Sequence, residues 1–221
     1  MPANGIDTQV VRLDSMRGNE HVKRAIEVAV VQNHAVVFAT HRANRITAEN
    51  YAQWMRAMYG NMNVFVLEPC YCGNYGDVYR ECKCSERAIT RWRNRDEYKH
   101  AMQAAEMWVE VAYVPFEKLA SARKPESDET IMARVIAGRA YWKKPVALSE
   151  MDGASQRLMA AAMKQLMLSE PQVQQVLNVT ASIVALNEGR SSVSCLAEAL
   201  QYAWLGTTRY WGETFIGIMP S

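Results

Sequence analysis

The chain has 221 residues, 49% apolar and 22% charged, with a net charge of +2. That composition excludes a disordered chain, and 11 glycines with 7 prolines exclude a collagen-like or linker-rich one. The charge is too small to draw the protein onto DNA by its overall field, and no apolar run approaches the ~20 residues of a membrane span.

The opening stretch, MPANGIDTQVVRLDS, has neither a basic start nor a hydrophobic run, so a cytoplasmic, reducing compartment is predicted. Asn19 begins an amphipathic helix in which Val22, Ala25, Ile26, Ala29 and Val30 recur at helical spacing. HAVVFAT (His34–Thr40) reads as a strand because it is apolar and rich in β-branched residues. Thr47 is the expected N-cap of a helix carrying Tyr51, Trp54, Met55 and Met58, which Gly60 and Asn61 stop. MNVFVLE (Met62–Glu68) barely alternates, which predicts a second strand buried on both faces. Strand, helix and strand in this order make a βαβ unit.

A loop dense in Cys, Gly, Tyr and Asp covers residues 69–84. Ser85 then caps one continuous helix over SERAITRWRNRDEYKHAMQAA, and MWVEVAYV (Met107–Val114) is the third strand, ended by Pro115. ASARKPESDE is a polar joint. Beyond it the spacing is helical: Ile131/Val135, Leu158/Met159/Ala162/Met163/Leu166, Val173/Val176/Leu177/Thr180/Val184 and Leu196/Ala197/Leu200/Trp204. Asn187, Gly189 and Arg190 separate the last two of these helices. The expected fold is α/β, with a small three-stranded parallel sheet and flanking helices over residues 1–120. A C-terminal helical bundle follows over residues 121–221.

Four of the five cysteines fall in one window, Cys70-x-Cys72 and Cys82-x-Cys84. Tetrahedral zinc needs four thiolates about 2.3 Å from the ion, and two close pairs joined by a loop supply them. Gly73 and Gly76 relieve the turn after the first pair. Free thiols and disulfides are the alternative states, the second disfavoured in a reducing compartment. A four-sulfur site leaves no open position for catalysis, so the predicted metal, zinc first, is structural. Cys195 lies at apolar helical spacing and reads as a core residue.

Four blocks resemble the magnesium-chelatase-like AAA+ ATPases, in particular the branch of competence protein ComM. They are LDSMRGNEHVKRAIEVAVVQNHAVVFAT, EPCYCGNYGDVYRECKCSERAITRWRNR, VEVAYVPFEKL and LNEGRSSVSCLAEALQY, and they cover about half of the chain. The resemblance implies a hexamer-forming P-loop ATPase acting on branched DNA, but the chain departs from it at every catalytic position. Where the family has a Walker A loop, whose glycines and lysine cradle phosphates, this chain reads Thr40-His41-Arg42-Ala43-Asn44-Arg45. Only 21 residues separate Thr40 from Met62, whereas a Walker B strand with its own helix needs about 30 more. Glu68 stands at the sensor asparagine, DEYKHAMQAAE at the arginine finger and Pro171 at the sensor arginine. Phosphoryl transfer is mostly positioning and charge stabilisation, so the resemblance implies a truncated core without ATPase activity. No ATP is expected as a cofactor, and no catalytic residue is assigned.

Weaker signals remain. Arg87, Arg91, Trp92, Arg93, Arg95 and Lys99 are candidate nucleic-acid contacts, diluted by Glu86, Asp96 and Glu97. Arg42 and Arg45, before a helix N-terminus, are candidate anion ligands. The four histidines show no metal-ligand spacing. Trp204, Tyr210, Trp211, Phe215 and Ile216 crowd the tail, which either packs on the body or contacts a partner protein or another copy. The leading expectation is a non-catalytic, zinc-stabilised binding or interaction module. The alternatives are a nucleic-acid-binding protein using the 86–99 helix and a sensor of a nucleotide or another anion at residues 40–47.

Overall fold

A computed structural model describes residues 12–121, 125–145 and 147–203. The expected aromatic tail therefore lies outside the described residues. Strand β1 (Val36–Thr40) is buried along its whole length because it is central, between β2 (Val64–Leu67) and β3 (Met107–Val111) in the order β2-β1-β3. Both pairings are parallel, with Val36 opposite Val64 on one side and Met107 on the other. The three-stranded parallel sheet and flanking helices are thus as the pattern predicts.

Helix α1 (Glu20–Gln32) precedes β1, α2 (Arg45–Tyr59) links β1 to β2, and α3 (Glu86–Arg93) and α4 (Asp96–Ala104) link β2 to β3. Side chains of a strand alternate between faces, and the burial follows that rule. Val36, Phe38, Val64, Met107 and Val109 enter a large core with α1 and α2, while Val37, Ala39 and Trp108 meet Tyr98 and Ala101 of α4. The two crossovers run in opposite directions across β1 and lie on opposite faces, as same-handed crossovers require. The connections therefore diverge between the C-terminal ends of β1 and β2.

After β3 come α5 (Phe116–Ser121), α6 (Asp128–Tyr141), α7 (Gly153–Leu166), α8 (Glu170–Leu186) and α9 (Val193–Gln201). One buried cluster runs through both halves, joining Val22, Ile26 and Val30 of α1 to Ile131, Val135, Val176 and Leu196. Cys195 is in it, as its spacing predicts. Among the described residues no helix is long and apolar enough to cross a membrane.

Three expectations need correction. β2 is an edge strand, and Phe65, Val66 and Leu67 are only half-buried, because no strand among the described residues lies beyond it. The helix expected from Ser85 onward breaks at Asn94–Arg95, where Arg95 takes an extended conformation and Asp96 and Glu97 open a new helix. α2 starts at Arg45 rather than beyond Thr47, since a 3-10 turn at Arg42–Asn44 leads straight into it.

Asp128 ties the two halves together. Its carboxylate accepts from Trp54 Nε1 at 3.0 Å and from the Asp14 backbone N–H at 3.2 Å. Trp54 is 1% exposed, so removing the acceptor strands its indole N–H. Asp128→Ala is expected to cost about 2 kcal/mol and Asp128→Asn clearly less, compared by urea midpoint; equal midpoints for the two variants would contradict this role.

Candidate metal centre

The two cysteine pairs sit at the edges of a loop that starts from the end of β2 and finishes at the N-cap of α3. Ser85 Oγ accepts from the Ala88 N–H, so the second pair is delivered directly by a capped helix. At the other edge, Gly73 N–H donates to Cys70 O at 3.0 Å, closing a turn with φ +77° at Gly73. The turn brings Cys72 back beside Cys70.

Cys70 Sγ lies 3.4 Å from Cys72 Sγ and 3.7 Å from Cys82 Sγ, and Cys72 Sγ lies 3.6 Å from Cys82 Sγ. All four sulfurs, Cys84 included, fall within 4.8 Å of one another. A tetrahedron of sulfurs 2.3 Å from zinc has edges of about 3.8 Å, and a disulfide would need about 2.05 Å. The separations fit four ligands around one ion. The donor set fits as well, being all sulfur and surrounded by backbone donors. The Cys84 N–H donates to Cys82 Sγ at 3.4 Å, and the Asn74 and Lys83 backbone N–H groups favour the charged form of Cys72.

These contacts separate the thiols. Burial works against the Cys72 thiolate, but the Asn74 and Lys83 N–H groups and the thiols of Cys70 and Cys84 outweigh it, lowering its pKa to about 6. Burial, followed by donation to Cys72 and Cys70, pushes Cys82 up to about 12 and raises Cys84 as well. At neutral pH a metal-free cluster thus holds a thiolate at Cys72 and protonated thiols at Cys82 and Cys84, and an incoming ion displaces those protons.

The loop is anchored against the β1–α2 connection through Glu68. Its side chain is 1% exposed and lies between two guanidinium groups, Arg42 Nε 2.8 Å from Oε1 and Arg45 NH1 2.8 Å from Oε2. The first contact is ionic without hydrogen-bond alignment, leaving Oε1 charge-compensated but without a donor. Arg42 also donates to Tyr71 O, its N–H donates to Gly73 O, and His41 Nε2 meets Tyr75 O at 3.2 Å. A Cβ on Gly73 would lie 2.7 Å from Arg42 Cβ and 2.8 Å from Glu68 Oε1. Both anion-ligand candidates therefore face a carboxylate of the chain itself.

The cationic candidates beyond the loop do not share one face. Arg87, Arg91 and Lys99 are exposed. Arg93 is buried, its Nε donating to Pro69 O and its guanidinium over the Tyr75 ring. Trp92 Nε1 donates to Glu68 O, while Arg95 lies over the Trp92 ring and pairs with Glu97. The break between α3 and α4 turns Lys99 onto a separate helix. Arg93 and Trp92 thus clamp the metal loop.

Sequence reasoning missed one constellation. His34 Nδ1 lies 2.5 Å from Glu106 Oε2, and its Nε2 lies 2.8 Å from Ser182 Oγ. The order resembles a Ser-His-acid triad, but Ser182 is fully buried within α8. The cavity beside Glu106 measures about 10 Å³, room for one water at most. This network fastens α8 to the sheet and has no access for a substrate. With His34 and Ser182 148 positions apart in sequence, no local pattern announces it.

No protein-family model matches the chain, and no match was found among curated proteins.

Two outcomes are expected here. Gly73→Ala must strain a left-handed position and push on the Arg42–Glu68 contact, costing about 1–3 kcal/mol; it should lower the urea midpoint and speed metal loss to a chelator, and a variant unchanged in both would show that the anchor is dispensable. Loading zinc should release at least two protons per ion near neutral pH, so affinity rises at least about a hundredfold per pH unit there. Below about pH 6, where Cys72 also protonates, the slope should steepen. Proton release into weak buffer, followed with an indicator dye, measures it.

Proposed function

We propose that the chain is a non-catalytic, zinc-stabilised binding or interaction module, a truncated relative of the magnesium-chelatase-like ATPases. The observation that carries this reading is the sulfur quartet, whose separations suit one tetrahedral ion and whose loop is anchored by Glu68, Trp92 and Arg93. Zinc suits four thiolates with no open position, and its chemistry when bound is to hold the loop rather than to activate water. Cys70 and Cys72 fix the loop to β2, while Cys82 and Cys84 fix it to α3.

The crevice between diverging connections is where α/β sheets ordinarily bind ligands. In this chain Glu68, Arg42 and Arg45 fill it, and Gly73 packs against the Arg42 backbone. A triphosphate would have to displace that carboxylate from both cations, and the four residues between β1 and α2 contain no glycine to wrap phosphate. Those features favour a binding role over nucleotide chemistry. Nucleic-acid binding is the weaker alternative, because Arg93 serves the loop and Arg95 is balanced by Glu97.

Purified protein is expected to carry about one zinc per chain by elemental analysis. Chelation should lower its melting temperature by roughly 10 °C, the shift about 3–4 kcal/mol produces at this size. Isothermal titration with magnesium and ATP should give no binding heat. A metal-free chain with an unaltered melting point would defeat the zinc assignment, and micromolar ATP binding would defeat the closed crevice.

A further inference from the structure

The same geometry that suits a metal makes the sulfurs ready to pair with one another. Cys72, Cys82 and Cys84 are partly exposed, whereas Cys70 is fully buried. Cys72 and Cys82 stand 3.6 Å apart and lie on opposite edges of the loop. Bonding them needs a movement of about 1.5 Å to reach disulfide length. Cys70 and Cys72 are nearer, but that pair would close a cramped ring between residues two apart, with one sulfur shielded from solvent. Without the ion, the loop has no regular structure of its own and depends on the Glu68, Arg42 and Arg93 contacts.

We propose that the quartet is a peroxide-sensitive redox site, in which oxidation joins Cys72 to Cys82, expels the metal and loosens the loop. The inference rests on the metal reading above. One thiolate attacks the O–O bond of hydrogen peroxide, giving a sulfenic acid and hydroxide. The second thiolate attacks the sulfenyl sulfur, forming the S–S bond and expelling a second hydroxide. Two electrons pass from the sulfurs to the peroxide oxygens, and two protons from solvent convert the hydroxides to water. The ion leaves as Zn²⁺, unchanged in oxidation state, because two remaining sulfurs do not complete its tetrahedron. Tyr71 and Tyr79, both exposed on this loop, move with it and change the surface it presents.

Cys195 provides an internal control. It is 1% exposed, accepts from Asn187 Nδ2 at 3.4 Å and lies in the core cluster away from the loop.

The experiment uses the zinc-loaded full-length chain, titrated with hydrogen peroxide. Released zinc is read with a metallochromic dye, thiols with an aromatic disulfide reagent, and the linkage by peptide mapping. The expected result is one zinc released and two thiols lost per peroxide consumed, with Cys72 bonded to Cys82 and Cys195 reduced. Dithiothreitol with added zinc should restore both counts, the loop should become newly open to protease in the oxidised form, and Cys195→Ser should behave like the parent. Zinc retained through excess peroxide, or thiols lost first from Cys195, overturns this inference while leaving the metal reading standing. A chain that takes up no zinc at all overturns both.

Discussion

Burying a carboxylate is costly unless cations and donors replace its water, and the C-terminal edge of this sheet is arranged around that constraint at Glu68. Arg42 and Arg45 approach it from the β1–α2 connection, and Gly73 closes over it from the metal loop. The closure of the crevice between β1 and β2 follows from satisfying this one charge, which also ties the base of the 69–84 loop to the β1–α2 connection. With Glu68 in place, the first cysteine pair is held at the end of β2, and the second reaches it from the capped end of α3.

The cysteine quartet and this ion-pair cluster divide the work. The sulfurs set the loop's internal shape, while Glu68, Trp92 and Arg93 set its position against the body. Such a division explains why a loop with no helix or strand has a fixed course. It also explains why an arginine beside the cysteines is no measure of affinity for phosphates. Arg93 gives its Nε donor to Pro69 O and its flat face to Tyr75.

Much of this was legible in the residues. The strands announce themselves by β-branched runs, the C-terminal helices by apolar spacing, and the cysteine pairs by proximity in sequence. Strand order is not local, so MNVFVLE reads as fully covered although it lies at the edge. Asn94 and Arg95 break a helix that composition alone would continue, because Asp96 and Glu97 favour a fresh N-terminus. Glu68 looks like a lost sensor until its two arginine partners are seen in space. The His34–Glu106–Ser182 network is hidden for the same reason, since its members come from three distant segments.

All four candidate ligands come from the continuous stretch between residues 70 and 84, whereas the partners of Glu68, Arg42 and Arg45, follow the neighbouring strand β1. Closing so short a segment costs little chain entropy, and binding of the proposed ion would offset it. On the proposed metal reading, one ion would join both edges of residues 70–84 without help from any other segment. The course of that loop would then depend on metal supply, whereas the Glu68 ion pairs would hold its base in either state.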